Sequence, residues 1–119
     1  ANLYLVVVHK FAHQLHDIDK WYLWEKSIID EIKKVDYALI DATFFDAKEV
    51  NYRDLSEIPH PFVVESMELF EPIKEEEKNK IFFIHLNHTN PLLNEKSKEY
   101  ELVIGKGYNV AKEGMILKL

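Results

Sequence analysis

Four residues in this chain, Asp17, Asp41, His60 and His85, have side chains able to hold a metal ion or move a proton. Each falls just after a predicted strand or just before a predicted helix. In α/β layers such positions collect along one edge of the sheet, where sites are built. Two imidazoles and two carboxylates, with no cysteine in the chain, suit Zn²⁺, Mn²⁺ or Fe²⁺. Each residue taken alone is more often structural, and it is the set that carries weight. The densest stretch is Ile81-Phe-Phe-Ile-His-Leu-Asn-His-Thr-Asn-Pro91. A short apolar run closed by polar residues and a proline reads as a buried strand opening into a loop. A polar cluster at the end of such a strand is costly unless it is hydrogen-bonded or bound to something.

The elements that must position these residues follow from the pattern. The run Leu3-Tyr-Leu-Val-Val-Val8 is β-branched and apolar and predicts a first buried strand. After it, His9, His13 and His16 sit at i, i+4 and i+7, one face of a helix. A His-x3-His pair can hold zinc, but no carboxylate base stands in the same motif, and incidental histidines are the favoured reading. Asp19 is a good cap for a helix over 20–34, whose stripe is Trp21, Trp24, Ile28, Ile32 and Val35. With Asp19 as the cap, Asp17 has no local structural role. A second buried strand over 37–40 leads into Asp41, and an acid there is rare unless paired or metal-bound. Residues 46–59 form a polar loop long enough to signal function or mobility. His60 lies between Pro59 and Pro61 at the start of a helix over 62–73 that buries Val63, Met67 and Phe70. The helix dipole there favours neutral imidazole.

Residues 74–80 read as a solvated connector, 81–86 as the third strand, and 95–104 as a helix stopped by Gly105 and Gly107. Residues 108–111 and 115–119 predict a terminal hairpin turning at Glu113-Gly114. The order β-α-β-α-β-α-β-β is an α/β pattern with helices covering a sheet.

Composition bounds the rest. A chain of 119 residues, 47% hydrophobic, supports one domain with a core. The net charge of −6 argues against nonspecific binding to nucleic acid or an anionic membrane. No apolar run approaches the roughly 20 residues of a membrane span, and no clear signal peptide is present, so the expected location is the cytoplasm. The chain starts at Ala1 without Met and enters a strand almost at once, so a fragment or a processed chain is expected.

Three stretches resemble one family. Ile84-His-Leu-Asn-His-Thr-Asn-Pro-Leu-Leu93 resembles the His-x-Asn-x-Thr-Asn-Pro run of the pyrroloquinoline-quinone-biosynthesis B-type proteins, members of the metallo-β-lactamase superfamily. Val35-Asp-Tyr-Ala-Leu-Ile-Asp-Ala-Thr-Phe44 resembles that family's apolar strand ending in acidic-Ala/Gly-Thr-Phe. Pro59-His60-Pro61 resembles the turn before a helix in ribonuclease Z-like enzymes. The likeness runs from about residue 17 to the end. It implies half of a metallo-β-lactamase-type αββα sandwich, a mixed sheet with flanking helices, from a metal-dependent hydrolase.

The resemblance also implies roles. Asp17 would bridge two metal ions, with Asp19 as its rival, and His85 would be a terminal ligand. His60 would face the substrate as a proton donor or transition-state stabiliser. Asp41, Asn87 and His88 would orient the ligands from behind. The metal would be zinc, with manganese and iron as alternatives. The family's main motif, His-x-His-x-Asp-His, is absent from this chain. The chain is therefore expected to be incomplete alone for dinuclear catalysis. A missing N-terminal half or a second copy would complete it, and a non-catalytic partner-binding half-domain is the alternative. The substrate, a small molecule or a phosphodiester, is left open.

Overall fold

The computed structural model describes residues 5–8, 28–50 and 62–117, with the first of these as backbone. Four strands form one sheet: β1 (Leu5–Val8), β2 (Tyr37–Asp41), β3 (Ile81–Ile84) and β4 (Asn109–Val110). Their order in space is their order in sequence, and every pairing is parallel. Leu5 pairs with Tyr37, Asp41 with Ile84, and Phe83 with Val110. Parallel neighbours need crossovers. These carry the helical residues 28–34 (α1), then α2 (Val63–Phe70) and α3 (Glu75–Lys78), then α4 (Lys98–Gly105).

Strand alternation divides the sheet into two faces. Ala38, Ile40, Ile81, Phe83 and Val110 point to one face and are buried there with Ile28 and Ile32 of α1, Met67 and Phe70 of α2, and Val103 of α4. Helices α1, α2 and α4, one from each crossover, thus lie on the same side, as connections of one hand in an unbroken strand order require. The opposite face carries Tyr37, Leu39, Phe82 and Ile84, apolar but only half-buried and outside that core. Tyr37 and Phe82 meet edge-on across the strands, 6.0 Å between ring centroids.

The α/β class is therefore as expected, and β2, β3 and α2 lie where the apolar runs predict them. The mixed sheet is not seen among the described strands. The terminal hairpin expected from 108–111 and 115–119 is not seen among the described residues either, and its first arm, β4, pairs in parallel with β3. Residues 113–114 do turn, yet 115–117 form no strand, and 118–119 lie outside the described residues. The connector 74–80 contains the single turn α3, with none of its residues buried. Helix α4 starts later than expected, because Ser97 caps it by accepting from Tyr100 N at 3.0 Å. It also runs through Gly105. The chain breaks at Gly107, whose φ of +99° an L side chain rarely adopts.

Candidate functional site

The C-terminal edge of β2 and β3 is built by two loops tied to each other. Ala42 N donates to Ile84 O at 2.7 Å, and Asn87 N donates to Thr43 O at 2.9 Å. These two bonds bracket His85 and Leu86. His85 is thereby held at φ +63°, a left-handed conformation that costs a non-glycine residue of order 1–2 kcal/mol. Asn90, 2% exposed, locks the same junction from beneath. Its Nδ2 donates to Ala42 O at 2.7 Å, and its Oδ1 accepts from Leu92 N at 3.0 Å, starting the short 3-10 turn Pro91–Leu93.

The frame brings Asp41 and His85 together across 44 residues of sequence. Asp41 is fully buried, and its Oδ1 lies 3.3 Å from His85 Nδ1. Thr43 Oγ1 lies 3.2 and 3.1 Å from the two carboxylate oxygens. A buried carboxylate without such partners would cost several kcal/mol. The imidazole contact is longer than a tight charge-assisted bond, so Asp41 orients the ring more than it grips it. The ring itself is 54% exposed. A carboxylate on Nδ1 turns the Nε2 edge of an imidazole toward a ligand, the arrangement by which proteins orient metal-binding histidines.

A third loop joins from the side. The 3-10 turn Ala47–Val50 carries Glu49, whose Oε2 accepts from Phe45 N and, at 3.1 Å, from Asp46 N. Its Oε1 accepts from Thr89 Oγ1 at 2.9 Å, and Thr89 Oγ1 in turn accepts from Asn87 Nδ2 at 2.8 Å. The same loop feeds α2. Phe44 O and Phe45 O accept from Val63 N and Val64 N at 3.0 and 3.2 Å, which occupies two donors of the helix start. Phe62 N donates to Glu65 Oε1 at 3.0 Å, so this carboxylate also caps the turn.

Of the residues singled out from sequence, Asp41, His85 and Asn87 converge on this edge. His88 is exposed on the adjoining turn, without a hydrogen bond or ion pair to another described residue. Asp17 and His60 lie outside the described residues, as do Asp19, His9, His13 and His16. Asn90 belongs to the polar cluster expected to be hydrogen-bonded, and it is; Glu49 and Thr43 are not among the residues singled out from sequence. Glu49 had a signal, because Asp46-Ala-Lys-Glu49 has the acid-three-residues-on spacing of a capping box. Among the described residues no three of His, Cys, Asp or Glu converge closely enough to hold a metal ion. Asp41 and His85 are two such groups, and the Asp41 carboxylate is engaged by Thr43 and the His85 ring. No protein-family model matches the chain, and no curated protein matches it either. No helix among the described residues is long and apolar enough to cross a membrane.

Proposed function

We propose that this chain is the C-terminal part of a metal-dependent hydrolase of the metallo-β-lactamase superfamily. The observation that carries the reading is the Asp41–His85 pair. Two residues selected by type and by motif lie 3.3 Å apart at the C-terminal edge of a parallel sheet. The half-buried face of Tyr37, Leu39, Phe82 and Ile84 supports it as well. A half sandwich has one sheet face under its own helices and the other against the missing half.

In this reading His85 is a metal ligand through Nε2, and Asp41 holds its ring. Asp17 and His60 would serve as bridging carboxylate and proton donor, as the resemblance implies. The bound metal, zinc before manganese or iron, would activate a water and polarise an ester, amide or phosphodiester. This chain's own residues set the imidazole's orientation and, through Thr43 and Asn90, the spacing of the two loops. The metal motif must then lie in a segment preceding this one or in a partner. The test is the longer reading frame together with an esterase and phosphodiesterase screen of the assembled protein. A His-x-His-x-Asp-His run and a zinc-dependent activity lost in His85→Ala are expected. Finding the run in neither the longer protein nor a partner, with no hydrolysis, overturns the reading.

The same half-buried face supports a second reading, a non-catalytic half-domain that pairs with a copy of itself. The two readings differ in zinc retention, which only the first requires.

A further inference from the structure

The chain Glu49–Thr89–Asn87 has a direction that its chemistry dictates. An ionised carboxylate only accepts hydrogen bonds. Thr89 must therefore donate its one proton to Glu49 Oε1, at 2.9 Å. Its oxygen is then left to accept, and the Asn87 amide must turn its NH₂ toward it, at 2.8 Å. The amide's orientation thus follows from the network. Its Oδ1 is the end that Thr89 does not use, and that oxygen makes no hydrogen bond to another described residue. Asn87 lies two residues from His85, with its backbone N–H fixed on Thr43 O at 2.9 Å. Glu49 is in turn held by Phe45 N and Asp46 N on its other oxygen.

We propose that Glu49 is a positioning residue that, through Thr89, sets the Asn87 amide with its carbonyl oxygen offered as an acceptor on the loop that carries His85, for a ligand group that donates N–H or O–H. This rests on the reading of the edge as a binding site. It adds a polarity to that site: a substrate bearing an amide, amine or hydroxyl that reaches this loop is matched, and one offering only acceptors there is not.

Replacing one oxygen of Glu49 by nitrogen removes the constraint. In Glu49→Gln, the atom facing Phe45 N and Asp46 N has to remain oxygen. The NH₂ then faces Thr89 and takes one lone pair of its oxygen, the hydroxyl proton is free to turn to the Asn87 amide oxygen, and the amide is no longer fixed with its NH₂ toward Thr89. The fold needs no change, because these groups are exposed and meet water where they lose a partner. The experiment is NMR on the protein as it stands, without metal or substrate. In the parent, the Asn87 side-chain NH₂ protons give cross-relaxation to Thr89. In Glu49→Gln these signals fall, and in Thr89→Ser they persist. Pyrrole, a probe that donates N–H and carries no oxygen acceptor, moves the Asn87 carboxamide carbon in the parent and less in Glu49→Gln. Undiminished cross-relaxation in Glu49→Gln, or an equal response to pyrrole in both proteins, overturns the proposal. Thr89→Val, which keeps the side chain's shape without the hydroxyl, serves should Glu49→Gln fail to fold, and it too must reduce the parent's pyrrole response. Absence of a metal motif upstream would sink the hydrolase reading and leave these signals unchanged.

Discussion

At the scale of single residues, Asp41 and His85 stand out because an acid and an imidazole at the ends of apolar strands are costly there. That His85 would leave its strand at φ +63° has no signature in residue type. It follows from two backbone bonds made by a loop far away in sequence. Tyr108 makes a related point. It is 1% exposed and its hydroxyl has no hydrogen-bond partner among the described residues. Burial first, and the nearby charge of Glu71 second, push its pKa up to about 12. The unfolded chain releases this proton near pH 10 and the folded one only near 12. The folded state therefore binds the extra proton between these values, and its stability falls as pH rises through that window. Tyr108→Phe removes the unpaired hydroxyl, so neutral-pH stability should be unchanged or higher. The alkaline decline between pH 10 and 12 should become shallower, as urea unfolding at a series of pH values would show.

At the scale of elements, apolar runs and stop signals are legible, and pairings are not. β2 and β3 were readable because β-branched and aromatic residues run unbroken between polar flanks. β4 is two residues long, too short to show a period, so its parallel pairing with β3 could not be told from a hairpin arm. Of the two glycines expected to stop α4, Gly105 is its last residue and Gly107, just beyond it, takes the left-handed conformation. A Cβ there would also meet Asn79 Oδ1 at 3.2 Å and Glu75 Cγ at 3.3 Å, in the segment around α3. Gly107→Ala should therefore cost more than the ~1 kcal/mol expected of backbone strain alone. Gly105→Ala meets nothing within 4 Å and sits in the last turn of the helix, so it should stabilise by a part of the roughly 1 kcal/mol expected in a helix interior. Thermal unfolding of the two variants should move in opposite directions.

At the scale of the whole molecule, the described residues give the sheet one face under helices and one apolar face that is half-buried. Strand alternation alone gives this two-sidedness, but which face the helices cover depends on crossover handedness, which no single strand encodes. A surface bearing Tyr37, Leu39, Phe82 and Ile84 is the kind that soluble chains cover with a partner. Expressed by itself, the chain should self-associate through it. Phe82→Glu should shift the sedimentation coefficient to that of a monomer while leaving the circular dichroism of the helices unchanged. A parent protein that is monomeric at all concentrations would contradict this.

The claim on which the rest depends is that the edge carrying Asp41 and His85 takes a metal ion. Zinc content should be measured by elemental analysis after zinc loading and gel filtration, on the protein assembled with the segment or partner that supplies the remaining ligands, for the parent and for His85→Ala, Asp41→Asn and Asp17→Ala. The account predicts a stoichiometric ion in the parent, lost in His85→Ala and Asp17→Ala. In Asp41→Asn, which disturbs only the support of the imidazole, binding should weaken about 10- to 100-fold. No retained zinc in the parent, or equal retention in all four proteins, would contradict it.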